Sequence, residues 1–210
     1  MHRLILGTTA GMVLVAHPAL NVKSVRELVA RAKAEPGAIS YASSGAGGMP
    51  HLAGEMFKQS ANIDVVHIPF KGIPESLTDV ISGRVQFSMA PIASSVSLIK
   101  EGRLRALGVS SKKRSSLYPD LPTIAEQGYP GFDSSSWQGL FAPAKTPADV
   151  LDKIEAATKK GMKDPKWEEA LARDGLEQPP ERTRAEFTRM VADEHAFWGK
   201  KLKELHIEME

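Results

Sequence analysis

The 210-residue chain contains no cysteine. Disulfides, thiolate nucleophiles and thiolate metal ligands are thereby excluded, while the compartment stays open. It also lacks an excess of charge: 27 basic residues against 25 acidic ones give a net +2. A general nucleic-acid binder needs a concentrated positive face, so nucleic acid is not an expected partner. The one basic run, Lys112-Lys113-Arg114, lies in a Ser-rich stretch and reads as a solvated turn. Beyond the N-terminus no apolar run is long enough to span a membrane. At the N-terminus, Met1-His2-Arg3 followed by LILGTTAGMVLVAHPA imitates a secretory signal. Gly7-Thr8-Thr9 interrupts that run, however, and Met12 to Ala16 is β-rich and leads directly into folded sequence. We read the segment as two strands, or one strand with a break.

Motifs of catalysis are missing too. A nucleophile elbow requires G-x-S-x-G, which is absent. Ser43, Ser44, His51, His67 and Asp79 could be drawn as a hydrolase constellation, but His67 falls in a strand, where a packed or hydrogen-bonded histidine is the commoner case. No H-x-x-x-H pair or acidic cluster has metal-ligand spacing. The expectation is no enzyme, no metal and no cofactor. No internal repeat or low-complexity segment stands out. What remains, with 42% apolar and 25% charged residues, is an ordinary globular composition. The length suits one sizeable domain or two small lobes with a proper core.

The most informative stretch runs from Ile39 to Gln59, ISYASSGAGGMPHLAGEMFKQ. Ile39–Ala42 predicts a short strand, Ser43–Gly48 a loop of small residues, and Pro50–Gln59 a helix. Pro50 sits at the first helical position, where its missing N–H costs nothing. Strand, Gly/Ser turn and helix start together leave amides pointing outward, with the helix dipole favouring negative charge. The dipole alone is worth roughly 0.3–1 kcal/mol at an exposed site, so affinity would need direct N–H bonds and closure around the ligand. Gly45 and Gly47 supply two positions of G-x-G-x-x-G, but Pro50 occupies the third and no acidic residue follows at the required distance. No Gly-Lys-Ser/Thr follows either, which excludes a P-loop. A tight strand-to-helix turn and an anion site both remain open from spacing alone.

In chain order, Val13–Ala16 predicts a buried strand. Ser24 caps a helix over Val25–Ala34 in a capping box with Glu27. Further strands are predicted at Asp64–Ile68, Val85–Met89 and Leu104–Val109, alternating with helices at Pro74–Ser82 and Ile92–Lys100. Such alternation predicts a parallel sheet covered on both faces. Thr123–Gln127 predicts a short helix and Phe132–Phe141 a Ser-rich start followed by a strand. Helices then follow over about Ala148–Met162, Pro165–Asp174 and Arg184–Leu205. The last should turn Phe187, Met190, Val191, Phe197 and Trp198 towards a core whose covering sheet is not visible in the sequence. Three further points fall at C-terminal strand ends, where open α/β sheets bind ligands. These are Phe70-Lys71-Gly72, with Lys71 either pairing a carboxylate or lying in solvent; Met89-Ala90-Pro91; and Ser134-Ser135-Ser136-Trp137, with Trp137 either a ligand wall or plain core. With the glycine loop they describe a pocket for a small anion.

Four blocks, YASSGAGGMPHLAGEMFK, VVHIPFKGIPESLTDVISGRVQFSM, EGRLRALGVSSKKRSSLYPDLPTIAEQGYPGF and SSWQGLFAPAKTP, resemble in order those of the tripartite tricarboxylate transporter substrate-binding proteins, the Bug or TctC family. The resemblance runs from about Leu4 to the C-terminus. It implies an α/β periplasmic-binding-protein fold of the type II, venus-flytrap kind. The implied role is capture of a small carboxylate in the periplasm for the membrane components of a tripartite carrier. Carried over by position, the carboxylate would meet Ser43, Ser44, Gly45, Ala46, Gly47 and Gly48 and the helix start at Met49 and His51. Phe70, Lys71, Gly72, Met89 and Ala90 would line the same lobe. Against the family pattern the chain is expected to be N-terminally truncated. Residues 12–112 would form a near-complete second lobe, and 1–11 with 113–210 the crossover segments and helical remainder of the first. The first lobe's second glycine-rich carboxylate loop would be missing, and Ala90-Pro91 replace the usual acidic or amide residue. The competing reading is a non-transport binding or sensor component, or a fragment self-associating through exposed first-lobe helices.

Overall fold

A computed structural model describes residues 1–205 and 207. The chain divides into a larger unit built on residues 11–135 and a smaller one formed by residues 1–10 with 136–204.

The larger unit starts with β2 (Met12–Ala16), preceded in the smaller unit by β1 (His2–Ala10). It continues with α1 (Val25–Ala34), β3 (Ser40–Ser43), α2 (Met49–Ala61), β4 (Val66–Pro69), α3 (Ile73–Ile81), β5 (Phe87–Pro91), α4 (Ile92–Lys100) and β6 (Arg105–Val109). Helix α1 begins as its sequence dictates: the Ser24 hydroxyl accepts the Glu27 amide at 3.2 Å, and the Glu27 carboxylate reaches back to the Lys23 amide at 2.7 Å. Strands β4 and β5 lie one or two residues further along the chain than their expected positions, so that Pro69 and Pro91 close them.

The five strands are ordered β4-β3-β5-β2-β6. The sheet is mixed, which corrects the all-parallel expectation: β3 runs parallel to β4 and β5, but β2 lies antiparallel to both β5 and β6. An unbroken apolar strand such as MVLVA announces burial on both faces, and Val13 to Ala16 are wholly enclosed. Apolarity carries no information on direction. Val13, Val15, Ala42, Leu77, Val80, Ala90 and Val109 belong to one core cluster. Tyr41, Phe57 and Phe87 are also fully enclosed. Burying each such side chain contributes about 1.5–3 kcal/mol.

The unit extends past 112 to Ser135 because the following segment is tied into it. The buried Gln127 side chain accepts the Val25 amide at 2.9 Å and donates to the Leu107 carbonyl at 2.8 Å. Phe132 meets Phe57 edge-on. The Ser110 hydroxyl, fully enclosed, accepts the Met12 amide at 2.9 Å and donates to the Ser134 carbonyl at 2.6 Å.

In the smaller unit β1 pairs antiparallel with β7 (Ser136–Ala142), and α5 (Ala148–Gly161), α6 (Pro165–Arg173) and α7 (Arg184–Glu204) follow. This two-stranded sheet is the partner that the helices' apolar faces require. Leu4, Ile5, Ala142 and Leu151 form its buried cluster, and Phe187 is wholly buried beside Gly139. The α7 face is narrower than expected. Met190, Val191 and Trp198 are half-buried, and Phe197 is 47% exposed, pairing edge-on with Trp198.

Candidate functional site

Strand β3 ends at Ser43 and α2 begins at Met49, with Pro50 in its first turn. The intervening loop needs glycine at two points: Gly45 has φ of 122° and Gly47 of 74°. Gly48 occupies the cap position and contributes no side-chain bond, and no acidic residue lies in the first turn of α2. The loop's amides divide into two sets. Gly45 donates inward to the Ser43 hydroxyl at 3.2 Å and Gly47 to His51 Nδ1 at 3.0 Å. Among the described residues the amides of Ala46, Gly48 and Met49 bond to no acceptor. Unengaged amides at an uncapped helix start form an electropositive cradle suited to a carboxylate or phosphate oxygen.

The neighbouring turn is joined to this loop. The Phe70 amide donates to the Ser43 carbonyl at 3.0 Å, and a Cβ on Gly45 would sit 3.5 Å from the Phe70 carbonyl oxygen. Phe70 is half-buried against the sheet's core, Lys71 is exposed, and Gly72 caps α3. Strands β4, β3 and β5 run parallel and lead into α3, α2 and α4, so three helix N-termini gather on one sheet edge. They are not equivalent. At α3 the Glu75 carboxylate already accepts the Lys71 amide at 3.1 Å, whereas α2 and α4 have no acidic residue in their first turns; only α2 follows a loop with glycines in the left-handed region.

The remaining candidates lie elsewhere. Met89 and Ala90 are wholly buried within the β5 ladder, opposite Leu14 and Val13. Trp137 belongs to the smaller unit, where its ring packs edge-on against Phe187 at 5.6 Å and tilted against Phe141 at 6.3 Å. Ser44 is half-buried in the loop. Of the five residues drawn as a hydrolase constellation, Ser43, His51 and His67 come together, whereas Asp79 is paired with Arg84 and the Ser43 hydroxyl is fully enclosed.

Beneath the loop lies a group the sequence does not display. His51 from α2 and His67 from β4 stack at 4.0 Å with 13° between rings, and Tyr41 stacks on the other side of His67 at 4.9 Å. His67 Nε2 meets the Ser43 hydroxyl at 2.7 Å, and that hydroxyl lies 3.1 Å from the Gly45 carbonyl. A hydroxyl has one proton, so a neutral His67 donating from Nε2 lets Ser43 donate to Gly45 while accepting the Gly45 amide. Burial lowers the pKa of His51, and burial, His51 and Lys58 lower that of His67 to about 4. Both rings are therefore neutral at pH 7. The Tyr41 hydroxyl donates to Glu55 at 2.7 Å, and burial raises its pKa.

The tripartite tricarboxylate transporter family receptor profile, TctC, matches residues 2–207. The chain belongs to this family. Its curated relatives include a UPF0065 protein in the tcbD-tcbE intergenic region of Pseudomonas sp. (strain P51), 35% identical over 173 residues, which covers 82% of this chain and 52% of that protein. Among solved structures, R. palustris Rpa4515 with adipate superposes with a TM-score of 0.84 at 28% identity, covering 98% of this chain and 69% of that one. The periplasmic binding protein BugD gives 0.82 at 28% identity, covering 100% and 70%. The fold is that of TctC and Bug periplasmic binding proteins. The chain spans about half the length of the curated TctC relatives it matches.

Proposed function

We propose that this chain is the carboxylate-capturing part of an extracytoplasmic solute-binding protein. It would act in the periplasm for the membrane components of a tripartite tricarboxylate-type transporter. The observation that carries the reading is the Ser43–Met49 loop: three unengaged amides at an uncapped helix start, in a chain of a transporter-receptor family. The adipate bound by the Rpa4515 relative supports a small dicarboxylate as the ligand class.

In this reading Ala46, Gly48 and Met49 donate to one carboxylate, while Ser43, Gly45 and Gly47 hold the loop's shape. Ser44, Phe70, Lys71 and Gly72 flank it, with the exposed Lys71 ammonium offered to a second carboxylate. Met89 and Ala90 act by holding the sheet edge. The Gly11–Ser135 unit is one ligand-binding lobe, and the β1–β7 unit belongs to the other. No observation favours the sensor-linked or self-associating alternative.

Titration of the chain with adipate, malate, citrate, benzoate and glutamate, followed by thermal unfolding and calorimetry, tests this. A ligand at a hundredfold its Kd adds about 2.7 kcal/mol of stability. A cooperatively melting protein that shifts with none of the five refutes the reading.

A further inference from the structure

We propose that His51 and His67 are positioning residues that fix the anion loop only while neutral, so that carboxylate affinity falls on acidification. The proposal rests on the carboxylate reading above and names its regulation.

Of the loop's amides, the two that point inward are both held by this pair. His51 Nδ1 accepts the Gly47 amide directly, and His67 holds the Gly45 amide through the Ser43 hydroxyl. Turning Gly45 and Gly47 inward leaves Ala46 and Gly48, the alternate residues, unengaged. The histidines thus select which amides are offered to a ligand.

The Gly47 bond requires a lone pair on Nδ1. A proton there turns the acceptor into a donor facing another donor, and the loop must release Gly47. The other groups around the pair do not supply a substitute. On α2, the Glu55 carboxylate favours a proton on His51 but accepts from the Tyr41 hydroxyl and is no acceptor for Gly47, and Lys58 opposes a proton on His67. Strand β3 contributes only Tyr41, and β5 has no titratable residue. The rings face each other at 4.0 Å, so two protonated histidines would repel, and the first proton is the one that matters. A charge on the buried His51 ring would itself attract a bound anion, so an affinity that rises on acidification is the outcome in which that attraction outweighs loss of the loop's shape and the proposal fails.

The test has two arms on the intact chain. In ligand-free protein, ¹⁵N spectra follow the Gly47 amide and the His51 ring from pH 8 to pH 4.5. The Gly47 amide should lose exchange protection with the same midpoint as His51 protonation. In the second arm, calorimetry with adipate from pH 7.5 to pH 5 compares wild type with His51→Asn, whose Oδ1 can accept the Gly47 amide without titrating. Wild-type affinity should weaken by up to about tenfold per pH unit below the His51 midpoint, and the variant's profile should keep only the slope from adipate's own protonation.

A Gly47 amide indifferent to His51 protonation overturns the proposal, as does an identical or inverted adipate profile in the two proteins. If adipate binds neither protein, the carboxylate reading fails for adipate, and the first arm still decides whether the histidines hold the loop.

Discussion

Gly54→Ala is the substitution for which the fold makes the sharpest quantitative demand. Gly54 lies in the middle of α2 with its Cα facing β3, and a methyl group there would sit 2.2 Å from Tyr41 Cε2 and 2.7 Å from Cζ. Carbon atoms approach to about 3.5–4.0 Å, so the ring or the helix must move by more than about 1 Å. The ring has nowhere to go. It is fully buried, stacked on His67 at 4.9 Å and on Phe87 at 5.6 Å, and its hydroxyl is fixed to Glu55. Alanine gains roughly 0.8–1 kcal/mol over glycine as a helix former, whereas overpacking costs about 1–3 kcal/mol and occasionally more. With a clash against the body of a ring rather than a flexible tip, the upper end applies. The net expectation is destabilisation by about 2 kcal/mol, or roughly 4–8 °C in Tm for a chain of this size. The matched control is Gly199→Ala in α7, where a Cβ meets nothing within 4 Å. There the propensity term stands alone, and a gain of up to about 1 kcal/mol is expected. Urea unfolding and scanning calorimetry measure both. A Gly54→Ala protein as stable as wild type would refute the packing of α2 on Tyr41, and with it the placement of the histidine stack.

Three other outcomes follow from the same unit. Tyr41→Phe leaves Glu55 without its donor and should cost about 1–2 kcal/mol by urea midpoint, with the fold retained in circular dichroism. Ser110→Ala strips a buried acceptor from the Met12 amide and a donor from the Ser134 carbonyl, and should cost about 2–3 kcal/mol in the same assay. The third is a pH dependence. His67 titrates near 6.5 when unfolded and near 4 when folded, so the unfolded chain binds more protons between those values. Stability carried by neutral His67 is complete above about pH 6.5 and is lost as pH falls to about 4. After discounting for its partial exposure, it amounts to about 1–3 kcal/mol. Urea midpoints at pH 7.5, 5.5 and 4.5 in wild type and His67→Gln should separate this loss from that of the carboxylates. Parallel profiles in the two proteins would contradict it.

Local signals in the sequence located the elements well. The Ser24 cap and the proline at the start of α2 are short-range chemistry, and the helices begin close to them. The loop between Ser43 and Gly48 was legible for the same reason, since glycines before an uncapped helix start describe themselves. What the sequence withheld depends on pairing. The direction of β2 is set by which strands flank it, not by the composition of MVLVA. The meeting of His51 with His67 depends on the β3–β4 register, which places His67 opposite Tyr41. Phe197 illustrates the opposite error: helical periodicity placed it on an apolar face, but the two-stranded sheet is too small to cover the whole of a 21-residue helix.

The placement of β2 in its sheet has a consequence for the order of assembly. The ladder partners of this strand, Phe87–Pro91 and Arg105–Val109, both lie far beyond it in the chain. A chain emerging from the ribosome therefore presents MVLVA with one edge unpaired until Pro91 has appeared and the other until Val109. Closing contacts so distant in sequence is slow, and unpaired apolar strands are the usual nuclei of misassociation. β1 waits longer still, because its partner β7 begins at Ser136. Residues 2–16 are thus dependent clients of later strands: lengths ending before Val109 should leave β2 open to holdase chaperones, and lengths ending before Ala142 should leave β1 so.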